Sequence, residues 1–113
     1  MGASLNPNRF SHKAVLKLNA HHVPLVAVGS VEGEIDGTKV FRPFPNLEGI
    51  HTVTLYISPA NLSTFFDYIL RLNPKRVIFN PGTENPAFAK ILTGSGIEVV
   101  YGCTLVMLSM GRY

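Results

Sequence analysis

The sequence does without most of the residues that would make its chemistry obvious: it has one cysteine, Cys103, no tryptophan, and only 15% charged residues. One cysteine excludes an internal disulfide and a cysteine-rich zinc site, and a reducing, cytoplasmic setting is expected. Sparse charge beside 46% hydrophobic residues excludes disorder, which needs low hydrophobicity and high net charge. No apolar run reaches the roughly 20 residues of a membrane-spanning helix, and no charged stretch leads into an apolar segment at the start, so no membrane association is expected. Lys and Arg number 10 against 7 acidic residues, a net charge of +3, and they are dispersed. That balance permits an anionic ligand but lends no support to nucleic-acid binding. Without repeats or low-complexity tracts, 113 residues make one domain.

What is present is a series of short apolar runs. Residues 24–28, 51–57, 76–80 and 96–101 are rich in Val and Ile and bounded by Gly, Pro, Ser or Asn, which predicts buried strands. Residues 8–21 predict a helix with Phe10, Val15 and Leu18 on one face. A second helix starts at Ser58, its cap, with Pro59 in the first turn, and stops at Asn73-Pro74. Phe65, Phe66, Ile69, Leu70 and Leu72 give it an apolar surface. A third runs from about Glu84 to Gly94 or Gly96, with Phe88, Ile91 and Leu92 inward. Residues 104–110 suit a short closing helix, and the Gly-rich connection 29–44 has room for a brief edge strand at 38–41.

Strands alternating with helices predict an α/β fold: a three-layer, Rossmann-like parallel sheet with helices on both faces. Right-handed crossovers line up the strand-to-helix loops along one edge, where ligands of such sheets bind. The loops at that edge are residues 2–9, 29–33, 57–59, 80–84 and 102–104.

The first of these runs straight into a helix. Gly2, Ala3 and Ser4 allow close backbone approach to a phosphate, Ser4 and Asn8 are neutral donors, and Arg9 suits a bidentate pair. A helix cap with a surface arginine accounts for the same residues, and the stretch lacks both a full Gly-x-Gly-x-x-Gly pattern and a Walker lysine. In the loop 80–84, Gly82 suits a positive φ and Thr83 a helix cap, with Asn80 and Thr83 as an alternative polar lining. Glu84 alone does not make an acid–base pair. Cys103 follows a strand end, where a thiolate could be activated, although a small packed residue is the favoured account. His12, His21, His22 and His51 have no metal-binding spacing, so no metal site and no catalytic residue are expected.

Taken in order, these segments resemble the small, single-domain CoA-binding proteins, which look like the CoA-binding domain of the succinyl-CoA synthetase alpha subunit. Gly2-Ala3-Ser4-Leu5-Asn6-Pro7-Asn8-Arg9 before a helix, Pro24-Leu25-Val26-Ala27-Val28-Gly29 and Glu32-Gly33-Glu34-Ile35-Asp36-Gly37 carry the likeness. So do the strand ending in Ile57-Ser58-Pro59, Val77-Ile78-Phe79-Asn80-Pro81-Gly82-Thr83-Glu84-Asn85, and Cys103-Thr104-Leu105-Val106-Met107-Leu108. The resemblance implies CoA or an acyl-CoA as bound ligand. Ala3, Ser4, Asn8 and Arg9 would hold its pyrophosphate, and the Gly29-Ser30 loop would face the adenosine. Ile57, Ser58 and Pro59 would line the pantetheine or adenine path, with Asn80, Gly82, Thr83 and Cys103 on the same edge.

The chain departs from that pattern in two ways. Many members carry a basic residue just after the second strand, where this chain has Gly29-Ser30-Val31-Glu32. The synthetase's phosphohistidine lies in a second domain for which 113 residues leave no room, so non-catalytic, regulatory binding is the expectation. An NAD-dependent or thiol-dependent enzyme and a ligand-free interaction domain are the alternatives. The family's first, central strand precedes the Gly-Ala-Ser turn, so a chain starting at Met1 is expected to be amino-terminally truncated. Otherwise strand donation within an oligomer, such as a homodimer, would complete the sheet.

Overall fold

The computed structural model describes residues 1–113 and falls into two units, Met1–Pro45 with Thr104–Tyr113, and Asn46–Cys103. In the first unit, helix α1 (Phe10–Ala20) turns Ser11, Ala14, Val15 and Leu18 inward, the i, i+3, i+4, i+7 spacing of one helical stripe. Phe10 lies off that stripe. It is 67% exposed, contrary to the expected inward position, and the Lys13 ammonium lies 5.5 Å from its ring centre.

Strands β1 (Ala27–Val28), β2 (Gly33–Ile35) and β3 (Thr38–Phe41) form a sheet in the order β1-β3-β2. β1 runs parallel to β3, and β2 antiparallel to it. The segment 38–41 is therefore the middle strand and not the edge strand expected. The cause is a hairpin: Asp36 and Gly37 both take positive φ, at 50° and 81°, and fold β2 back on β3 with Ile35 opposite Thr38. Two positive φ values match the twist of a two-residue hairpin, which is why Asp-Gly serves there. Val15, Ala27, Ile35 and Val40 form the buried cluster, with Ala3 and Leu25 packed against it. The closing helix α5 (Thr104–Ser109) completes this unit, with Lys17 of α1 bonded to Ser109.

In the second unit β4 (Thr52–Leu55), β5 (Arg76–Phe79) and β6 (Glu98–Tyr101) form an all-parallel sheet in the order β4-β5-β6. Val77, Ile78, Phe79 and Asn80 are all at most 1% exposed. Successive side chains point to opposite faces of a strand, so burial of every one means that both faces of β5 are covered. β6 is an edge strand. Its Glu98 is exposed and its Tyr101 is 54% exposed, so it is not the fully buried strand that its Val and Ile content suggests.

The second expected helix is broken into α2 (Pro59–Leu62), a 3-10 turn (Ser63–Phe65) and α3 (Phe66–Leu72). Thr64 Oγ1 donates to the Asn61 carbonyl at 3.0 Å, the kind of local side-chain bond that competes with a continuous helix. Asn73 ends α3 in the left-handed region at φ 47°. Helix α4 (Pro86–Gly94) buries Phe88, Ala89 and Leu92, while Ile91 is 49% exposed. The stripe is centred between Phe88 and Ala89, which puts Ile91 about 100° away from its middle. Phe88 stacks on Phe66, with ring centres 4.0 Å apart, and meets Phe79 edge-on. The parallel strands, crossover helices and doubly covered β5 make this the Rossmann-like α/β fold expected.

Candidate functional site

Gly2 begins the first loop at φ 93°, a conformation available to glycine at little cost. The N–H groups of Gly2 and Ala3 both donate to the Val28 carbonyl, each at 2.9 Å, so the loop is tied to the carboxyl end of β1. Gly29 follows directly and donates its N–H to Phe41 O at 2.9 Å. A Cβ on Gly29 would lie 2.2 Å from the Ala3 carbonyl oxygen. Gly2, Ala3 and Gly29 are thus brought together as backbone against backbone, an approach only glycine permits. Ser30, Val31 and Glu32 continue the chain outward and are exposed.

Beyond Ala3 the loop turns on its own side chains. Ser4 Oγ accepts from Asn6 N–H at 3.1 Å, and Asn6 Oδ1 accepts from Asn8 N–H at 3.0 Å. The Ser4 hydroxyl acts here as an acceptor and keeps its proton to donate. Arg9 is the residue before α1. Its side chain makes no capping bond, and no acidic residue stands in the first turn. An uncapped helix start offers unpaired N–H groups and a positive end, with the exposed Arg9 guanidinium at its entrance. α4 starts differently, its Phe88 N–H being satisfied by Asn85 Oδ1 at 3.0 Å.

Two members of this arrangement escaped the sequence reading. His12 Nδ1 lies 2.9 Å from the Ser4 carbonyl oxygen, tying the loop to the body of α1. Leu5 covers Gly33, whose added Cβ would meet Leu5 Cδ1 at 2.7 Å. Asn6-Pro7-Asn8 is a turn signature from which the folding of the loop on itself could have been read, but nothing in the local sequence points to His12 as its partner.

In the second unit the expected residues stand at the carboxyl ends of the parallel strands. Ile57 is buried, and Ser58 and Pro59 are exposed at the start of α2. Ser58 does not cap that helix through its side chain; its Oγ accepts from Asn61 Nδ2 at 3.1 Å. Asn80 is 1% exposed and donates through Nδ2 to Thr54 Oγ1 at 2.7 Å and to Leu55 O at 2.8 Å. Its amide therefore locks the ends of β4 and β5 together. Thr83 is not the cap of α4, which is Asn85 two residues later. Thr83 Oγ1 instead donates to the Asn80 carbonyl at 2.7 Å, closing a buried turn. Gly82 sits at φ 90°, and its N–H donates to Glu84 Oε1 at 2.8 Å. Cys103 is half-buried just before the fully buried Thr104. Among His, Cys, Asp and Glu side chains, no group of three or more gathers that could hold a metal ion. No helix is long and apolar enough to cross a membrane.

An uncapped helix start presents N–H groups that can receive an anion. The family model described as a CoA binding domain matches residues 1–109. The chain belongs to that family. A solved structure of an uncharacterized protein shares 48% identity with this CoA-binding domain at a TM-score of 0.95, covering 99% of this chain and 93% of that one. A Thermus thermophilus protein matches at a TM-score of 0.87 and 22% identity, over 100% of this chain and 87% of its own. A hypothetical protein from Pyrococcus horikoshii does so at 0.84 and 23%, over 96% and 78%. Those two likenesses show the fold of the CoA-binding domain and nothing finer. No curated protein matches the chain.

Proposed function

We propose that this chain binds CoA or an acyl-CoA in the cytoplasm without transforming it, as a regulatory or ligand-sensing domain. The observation that carries the reading is the first loop: within a CoA-binding domain, the Gly2–Ala3 turn packed on Gly29 leads into an uncapped helix start beside Arg9. The backbone amides and the positive helix end receive the pyrophosphate, Arg9 neutralises part of its charge, and Ser4 donates its hydroxyl proton. Gly29 and Ser30 border the adenosine.

The non-catalytic part of the reading is supported by two engaged groups at these loops: His12 is bonded to Ser4 O, and Glu84 to the Gly82 amide. An NAD enzyme of this architecture needs a carboxylate at the end of the strand that follows the first helix, here β1, to grip the ribose hydroxyls. Here that position is Gly29, whose hydrogen faces a carbonyl oxygen with no space for a side chain. Calorimetric titration with CoA, acetyl-CoA, NAD and ADP tests the proposal. Heat with the two CoA species, and not with NAD, is expected, and no heat with either CoA species overturns it.

A further inference from the structure

We propose that His12 is the positioning residue of the phosphate loop, an inference that rests on the CoA-binding reading for its functional half. A carbonyl oxygen only accepts, so the 2.9 Å contact requires His12 Nδ1 to carry a proton and donate it to Ser4 O. The contact spans eight residues of chain, whereas the Ser4–Asn6 and Asn6–Asn8 bonds each span two. Those short-range bonds shape the turn but leave its orientation undecided. Two anchors decide it. Gly2 and Ala3 are held to Val28 O on the β1 side, and Ser4 is held by His12 on the α1 side.

The consequence for a ligand follows from the planar trans peptide. A peptide's C=O and N–H point in opposite directions. Drawing the Ser4 carbonyl toward the His12 ring therefore turns the Leu5 N–H away from that ring. His12 is the third residue of α1 and half-buried, so the helix supplies a rigid base for this clamp. The side chain acts through the loop and touches no ligand in this scheme. It fixes which way a donor faces before the anion arrives, so that the anion does not have to order the loop itself.

The test uses two variants and two readouts. In His12→Leu a side chain of comparable bulk has no donor, and in His12→Asn the Nδ2–H group stands where Nδ1–H stood. The first readout is amide exchange at Asn6 and Asn8 without ligand, since both N–H groups are bonded inside the loop. Exchange is expected to quicken in His12→Leu and to return toward the parent rate in His12→Asn; unchanged exchange in His12→Leu overturns the clamp. The second is CoA affinity, expected to weaken about three- to tenfold in His12→Leu, the scale of one net hydrogen bond, and to recover in His12→Asn. Quickened exchange with unaltered CoA affinity overturns the functional half. A parent protein that binds no CoA overturns the function reading instead, and the exchange data then decide the clamp.

Discussion

Replacing Gly29 by alanine puts a methyl carbon 2.2 Å from the Ala3 carbonyl oxygen, 3.2 Å from the Ala3 carbonyl carbon and 3.1 Å from Val40 Cγ1. Ordinary carbon–oxygen contact is about 1 Å longer, and neither neighbour is a flexible side-chain end that could swing clear. Ala3 is backbone tied to Val28 by its own N–H and that of Gly2, and Val40 is fully buried. Moving Ala3 outward stretches both 2.9 Å bonds. Overpacking and the weakening of two hydrogen bonds together cost about 2–4 kcal/mol. For a domain of this size that lowers Tm by about 8 °C or more. Gly33→Ala is the internal control. Its Cβ would also be crowded, at 2.7 Å, but by the end of the Leu5 side chain, which is 39% exposed and free to move toward solvent. A cost below about 1 kcal/mol is expected there. Thermal and urea unfolding of the two variants, with CoA titration of whichever fold, is the assay. A Gly29→Ala protein with unchanged Tm, or one no less stable than Gly33→Ala, refutes the idea that backbone contact holds the loop.

One further outcome is expected. Asn80→Ala removes donors to Thr54 Oγ1 and Leu55 O at a residue 1% exposed, and is expected to cost about 2–3 kcal/mol by chemical unfolding. A loss under about 0.5 kcal/mol would show that the strand ends do not depend on it.

The strands and helices of the second unit were legible because their apolar runs are short, branched and bounded by Gly, Pro or Asn, and covered faces demand such runs. The break between α2 and α3 was not, since the competing bond from Thr64 to Asn61 is a matter of local hydrogen bonding that periodicity does not register. The Asp36-Gly37 hairpin was written in the sequence plainly enough, yet β2 has only Ile35 as a buried apolar residue, too little for a strand to announce itself. At the site, Gly2, Ala3 and Gly29 were legible as small residues at strand ends, where backbone must come close. His12 was not legible, because its partner is a carbonyl oxygen and every residue type has one. The Thr83 assignment failed for a related reason. Thr83 and Asn85 both favour helix caps, and only the bond from Phe88 N–H to Asn85 Oδ1 decides between them.

The scarcity of charge and the glycine at the end of β1 belong to the same construction. A basic side chain placed at Gly29 to meet a phosphate would need a Cβ, and the Ala3 carbonyl occupies that space. The residues that follow, Ser30, Val31 and Glu32, are exposed and bring no positive charge. Under the proposed function, recognition of an anion in the first unit would fall to groups that carry no formal charge, the uncapped amides of α1 and the hydroxyl of Ser4, with Arg9 as the cation at the helix entrance. Such donors are directional and hold their value only while the backbone keeps its orientation. A loop built this way depends on its anchors more than a lysine-based site would, because a flexible ammonium can follow its ligand and a peptide N–H cannot. The short bonds within residues 4–9, the two N–H donors on Val28 O and the His12 clamp are the structural counterpart of that dependence.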